Sequence, residues 1–300
     1  MKMKLLFALL AAVVTLPAHA ALNVLACEPE WGALAQELGG DKVKVANATT
    51  ALQDPHRIEA RPSLIARARN AELLVCTGAE LEIGWLPILL RESGNPLIQP
   101  GQPGNFEATR YVPLLEKPQR LDRSEGDIHA AGNPHIQTDP RNIGLVADAL
   151  SKTLAAVDAA NAAYYQARHA EFKTRWSAAI SRWEAQAAPL KGAAVVVQHQ
   201  AYPYLENWLG LKQIAALEPK PGVEPSVASL TAVLTKLKIT PAKMVIRSAY
   251  NDSRASEWLA QRAGIPAVEL PFTVGGTPGA TNLYGLFDDT VNRLLKAVKP

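Results

Sequence analysis

Apolar residues recur along this chain with two spacings, and the spacing switches at regular intervals. Short apolar runs bounded by Gly, Pro and Asn read as strands. Stretches with apolar residues at i, i+3 and i+4 read as helices. In the first half, strands are predicted at residues 22–27, 42–46, 72–76 and 111–115, with helices at 31–38, 62–69 and 85–92. Gly39 and Gly40 close the first helix, because glycine adopts the left-handed cap freely. Pro62 opens the second, where a missing N–H does no harm. Pro, Gly and Asn dominate residues 95–105, a loop. In the second half, strands at 193–197, 213–217, 243–247 and 267–270 alternate with helices at 204–209, 226–237, 253–263 and 282–298. Ser226 stands where an N-cap is expected. Strand–helix alternation of this kind implies a doubly wound parallel α/β sheet, with right-handed crossovers placing helices on both faces.

A long helix is predicted between the halves, at 158–188. Its apolar stripe is Tyr165, His169, Phe172, Trp176, Ile180, Trp183 and Ala187, at helical steps. At about 1.5 Å per residue it spans roughly 45 Å, enough to run across both halves as a strut. His169 lies within the stripe and reads as a packing histidine.

The first twenty residues read as an address. Lys2 and Lys4 precede an apolar run at 5–16, and Ala18-His19-Ala20 is a small-x-small cleavage site. The run is too short to span a bilayer, which takes about 20 apolar residues. The mature chain is expected to begin at Ala21. No cysteine follows the cleavage site, so no lipid anchor is expected, and a bacterial periplasm is the expected compartment. The formal charge of +3 includes Lys2 and Lys4. Without them the chain is nearly neutral and has no electrostatic reason to hold nucleic acid. With 48% hydrophobic and 20% charged residues, disorder is excluded.

Two cysteines enter an oxidising space. Cys27 and Cys76 each end an apolar run. If those runs are adjacent parallel strands, both sulfurs lie at one edge and a disulfide is expected. Two buried thiols are the alternative.

Ligands of open parallel sheets bind beyond the carboxyl ends of the strands. His56, in Gln53-Asp54-Pro55-His56, follows the second predicted strand. His135, in Gly132-Asn133-Pro134-His135, precedes the helical region beginning near Arg141. His199 lies just beyond the run Val195-Val196-Val197. Neutral imidazole is a common nitrogen donor to Zn(II). Each alone reads more often as a surface histidine than as a ligand, and their spacing is no local metal motif.

The chain resembles the solute-binding proteins of zinc and manganese ABC importers. Asp54-Pro55-His56-Arg57-Ile58-Glu59-Ala60-Arg61-Pro62-Ser63 is similar to that family's first histidine motif. Gly78-Ala79-Glu80-Leu81-Glu82 is similar to its Gly-x-x-x-Glu turn. Asn133-Pro134-His135-Ile136-Gln137-Thr138-Asp139-Pro140 and His199-Gln200-Ala201-Tyr202 resemble the second and third histidine motifs. Pro221-Gly222-Val223-Glu224-Pro225-Ser226 resembles a segment near the cleft. The resemblance covers essentially the whole mature chain. It implies an α/β fold of two doubly wound lobes bridged by one long helix, with metal held between them. Its segments are a signal peptide at 1–20, a first lobe at 21–140, a helical region at 141–190 and a second lobe at 191–300. It implies His56, His135 and His199 as metal ligands, an ABC permease and its ATPase as partners, and a monomer.

The chain also departs from the family. Where the family supplies an aspartate from a Gly-Asp-Ser-Tyr segment, Gly279-Ala280-Thr281-Asn282-Leu283-Tyr284 stands here, with Asn282 at the aspartate position. The fourth ligand is then water, Asn282, or His129 from Gly126-Asp127-Ile128-His129. Asp139 and Glu59 are expected either to orient imidazoles or to cap helices. Without a sure carboxylate, Zn(II) is the expected ion and Mn(II) the second choice. A secreted zinc hydrolase is the rival reading, since three histidines with an open position also suit catalysis. No HExxH, Gly-x-Ser-x-Gly or Gly-rich phosphate loop supports an enzyme.

Overall fold

The computed structural model describes residues 20–118, 126 and 129–298. The predicted leader therefore lies outside the described residues, apart from Ala20. Two parallel sheets form. The first joins β1 (Leu22–Ala26), β2 (Val43–Asn47), β3 (Leu73–Cys76) and β4 (Asn105–Glu107) in the order β2-β1-β3-β4. The second joins β5 (Ala194–Val197), β6 (Lys212–Ala216), β7 (Met244–Ser248) and β8 (Ala267–Leu270) in the order β6-β5-β7-β8. Both repeat one doubly wound pattern. In each, the chain direction of winding reverses beside the first strand, where such sheets bind ligands.

The helices α1 (Pro29–Gly39), α2 (Pro62–Arg69) and α3 (Leu86–Ser93) belong to the first lobe. Each has proline at its first turn, and α1 and α3 end on positive-φ glycines, Gly40 and Gly94. In the second lobe, α6 (Pro203–Leu209), α7 (Val227–Ile239), α8 (Arg254–Ala263) and α9 (Leu283–Val298) cover the sheet. Ser226 caps α7 in a reciprocal pair with Ser229.

The inner strands β1, β3, β5 and β7 are buried on both faces, and their residues alternate between cores. Val24, Ala26, Leu73 and Val75 point into a core that continues through Val195, Val197, Met244 and Ile246 of the other lobe. Leu25, Cys27, Leu74 and Cys76 point to a separate outer core under α2 and α3. This double burial explains why the strands read as unbroken apolar runs.

The strut is present. α4 (Pro140–Val157) leads through a short turn into α5 (Ala162–Ala187), a helix of 26 residues. Of its stripe, Tyr165, Phe172, Trp176, Trp183 and Ala187 are buried in the shared core. The Trp176 indole N–H donates to the Pro140 carbonyl at 2.8 Å, pinning the start of α4. His169 is bonded through Nε2 to Asp148 at 2.7 Å.

One strand was misplaced by the pattern. Residues 111–115 were expected to pair, but the fourth strand is β4, which starts at the last residue of the predicted loop. Its single apolar residue, Phe106, is buried opposite Val75. Tyr111 remains 45% exposed and stacks on Phe106 at 5.0 Å. One inward side chain between two polar ones carries too little pattern to outweigh neighbouring Gly and Pro.

Adjacent parallel pairing of β1 and β3 brings Cys27 and Cys76 together as a disulfide, with Cα atoms 4.7 Å apart. It closes a loop across 49 residues of sequence, which contains His56. Chain entropy assigns such a loop about 4 kcal/mol of stability. Replacing both cysteines by serine is therefore expected to lower the unfolding midpoint in denaturant markedly. An unchanged midpoint would show that the bridge does not stabilise this lobe.

Candidate metal centre

The carboxyl ends of both sheets face one cleft, and three imidazoles meet there. His56, His135 and His199 each offer a ring nitrogen, and these atoms all lie within 4.8 Å of one another. Ring centroids stand 5.5 Å apart for His56–His135, 5.7 Å for His56–His199 and 5.3 Å for His135–His199.

Two of these histidines are aimed by the same local device. Asp54 Oδ1 accepts the His56 backbone N–H at 3.0 Å and bonds the ring Nδ1 at 2.7 Å. Asn133 Oδ1 accepts the His135 backbone N–H at 3.0 Å and bonds its Nδ1 at 2.8 Å. Both segments read Asx-Pro-His, in which the Asx side chain turns the backbone two residues on. Asn133 is itself oriented, because its amide nitrogen donates to Glu116 and to the Gln200 carbonyl. The Trp85 indole N–H holds the Pro55 carbonyl at 2.8 Å.

His199 is aimed across a strand pair. Val197 of β5 lies opposite Ala216 of β6. Two residues further along both strands, His199 Nδ1 meets Glu218 Oε2 at 2.7 Å. Glu218 also accepts the Gly222 N–H at 2.9 Å. An oxygen acceptor at every Nδ1 assigns the proton there and leaves Nε2 as the donor to a metal. Among the described residues, the buried Nε2 atoms of His56 and His135 have no hydrogen-bond partner in the protein.

The electrostatics agree. Burial first, then the neighbouring His199, His56 and His129, hold His135 well below the ordinary histidine value, so its ring is neutral. Burial would raise the Asp54 carboxyl, but the hydrogen bond and charge of His56 keep it below its usual range.

His129 lies on the open side of the cluster, its ring 5.5 Å from His56 and 6.3 Å from His135. Its nitrogens fall outside the group of three. The next residue is tethered, with the Ala130 N–H donating to Glu80 at 3.0 Å. His129, His135, His199 and Glu116 line a cavity of about 260 Å³. Asn282 is elsewhere: it is exposed and accepts the Gly285 N–H at the start of α9. Asp139 caps α4 and pairs with Arg141, and Glu59 is exposed. The orienting role expected of those two acids belongs instead to Asp54, Asn133 and Glu218. The Asx-Pro-His repeat was a legible signal for two of these. Glu218 required the strand register.

A second group, Cys27, Cys76 and Glu82, also draws its atoms together, but its sulfurs are joined. Glu82 accepts the N–H groups of Thr77 and Gly78, and Glu28 accepts the Thr77 hydroxyl. Burial raises both carboxyls, that of Glu82 to about 7.

Parallel α/β lobes on one strut, with imidazoles converging from both, define a metal-binding solute-binding protein. The comparisons agree with that class and narrow it. The chain belongs to the family described as zinc-uptake complex component A, periplasmic (ZnuA), which matches residues 24–297. It is 24% identical to the high-affinity zinc uptake system protein ZnuA of Paracoccus denitrificans, covering 88% of each chain. It is also 24% identical to the protein of that name in Bacillus subtilis, covering 82% of this chain and 76% of the relative. A ZnuA crystal structure superposes with a TM-score of 0.74 at 23% identity, over 91% of this chain and 99% of that one. A manganese-bound periplasmic metal-binding protein from Candidatus Liberibacter asiaticus shares the fold, with a TM-score of 0.74 at 16% identity, over 93% of this chain and 100% of that one.

The buried carboxyls predict a pH dependence. A carboxyl raised by folding adds stability that is complete below its ordinary value of 4.5 and lost as pH rises through about 7. The protein free of metal is expected to melt lower at pH 8 than its Glu82→Gln variant, with the two curves converging near pH 5. Parallel melting profiles across that range would contradict a proton held at Glu82.

Proposed function

We propose that this chain captures Zn(II) in the periplasm and delivers it to the permease and ATPase of an ABC importer. His56 and His135 bind from the first lobe, His199 binds from the second, and His129 provides the fourth donor. The observation that carries the site is the convergence of three ring nitrogens within 4.8 Å, each ring aimed through its Nδ1. Zinc takes imidazole nitrogens at about 2.0–2.1 Å in tetrahedral sites. Membership of the zinc-uptake family and the printed names of its relatives support zinc as cargo.

Imidazole-rich donor sets suit zinc, whereas the harder Mn(II) prefers carboxylates. Manganese is the second choice, supported by the manganese-bound relative of the same fold. A hydrolase would need a carboxylate at hand as base. Asp54 and Glu218 are bonded to imidazole Nδ1 atoms instead, and Glu116, which lines the same cavity, accepts from the Asn133 amide. Capture and release therefore explain the site better than turnover. Among the described residues no helix is long and apolar enough to cross a membrane. A leader cleaved after Ala20 and a monomeric state complete the reading.

His199→Ala is expected to weaken zinc binding at least about tenfold in competition with a chromophoric chelator, with far-ultraviolet dichroism unchanged. His129→Ala is expected to weaken it less, because water can take the fourth position. Undiminished zinc affinity in His199→Ala would overturn the three-histidine site.

A further inference from the structure

The loop after β8 holds a residue under backbone strain beside the imidazoles. Phe272 has φ +60°, a conformation that L side chains rarely adopt. The Thr273 N–H donates to the Pro271 carbonyl at 2.6 Å, closing a three-residue turn of the rare left-handed kind around Phe272. Such strain persists only where the surroundings over-determine it.

The surroundings do so from two sides. Behind the turn, Gly276 lies so close that a Cβ would stand 1.8 Å from the Pro271 carbonyl oxygen. In front, Thr273 reaches the first lobe. The Glu30 backbone N–H donates to the Thr273 hydroxyl at 3.1 Å, and that hydroxyl donates to the Glu30 carboxyl. Glu30 and Thr273 are 1% and 5% exposed, so this clamp between lobes is dry.

The strained turn puts one ring in place. Phe272 lies 5.7 Å from His135, with Tyr250 and Tyr202 at 5.2 and 6.3 Å behind it. This aromatic wall closes the second-lobe side of His135. Acids nearby in that lobe are engaged elsewhere: Glu269 with Arg247, and Asp289 with Thr277 and Arg293.

Resting on the metal site proposed above, we propose that Phe272 is a specificity-determining residue. Its ring, locked by the Pro271–Thr273 turn and the Glu30 clamp, denies the ion oxygen ligands from the second-lobe side of His135 and so favours four-coordination. Mn(II), which favours more oxygen donors, is thereby disfavoured relative to Zn(II).

The test uses the mature protein, its Phe272→Ala, Phe272→Leu and Thr273→Val variants, and Co(II) as a visible probe. Four-coordinate Co(II) absorbs far more strongly in the visible than five- or six-coordinate Co(II). Phe272→Ala is expected to lose most of that absorption and to lower the ratio of zinc to manganese affinity about tenfold. Thr273→Val, which keeps the ring but cuts the clamp, is expected to shift both readouts the same way by less. Phe272→Leu, which keeps an apolar wall, is expected to restore both. If zinc is bound and lost in His199→Ala, yet Phe272→Ala leaves spectrum and ratio unchanged, this inference is overturned and the capture reading stands. If the parent protein binds no zinc, the capture reading fails first.

Discussion

Three imidazoles crowd one cleft, and each is kept in place by an oxygen at its Nδ1. That bond does two things at once. It fixes the ring's rotation, and it commits the proton to Nδ1 so that Nε2 carries a lone pair inward. Without Asp54, Asn133 and Glu218, the rings could turn to solvent or take the other tautomer. The depressed proton affinity of His135 follows from the same crowding, because burial and neighbouring rings both disfavour its charge. A neutral His135 ring is the form that a metal-binding imidazole must take.

The scaffold is arranged to keep those bonds in register. A metal site loses affinity when its supporting groups are loose. Here the shared core runs from β1 and β3 through Phe172, Trp176 and Trp183 of the strut to β5 and β7. The disulfide joins the ends of β1 and β3 beside the loop that carries His56. Direct bonds cross the cleft as well: Arg57 donates to the Gly222 carbonyl at 2.9 Å, and Gly222 in turn holds Glu218. Glu218, which orients an imidazole of one lobe, is thus steadied by a residue of the other.

Much of this was legible in the sequence. Seven of the eight strands among the described residues fall where the pattern put them, and the inner strands are plainest because burial on both faces leaves a continuous signal. The strut was legible from its helical stripe, and the disulfide from two cysteines at the ends of adjacent parallel strands. The exception was β4, where Phe106 alone faces inward. At the site, the three histidines were visible by their position after strands or before a helix. Their partners were harder to see. Glu218 meets His199 only through the β5–β6 register, which a single sequence does not display. Asn282 aligned with a family aspartate but caps a helix instead, because local sequence cannot tell which face of a loop a polar side chain occupies. Phe272 carried no signal, since its role depends on a strained backbone and on Glu30 from far away in the chain.

The most direct test of the central claim is zinc K-edge X-ray absorption on the mature protein loaded with one equivalent of zinc. The account predicts a first shell of nitrogen at about 2.0–2.1 Å, with the outer-shell scattering of at least three imidazoles. A shell of oxygen alone, a sulfur contribution, or zinc lost on buffer exchange would contradict it.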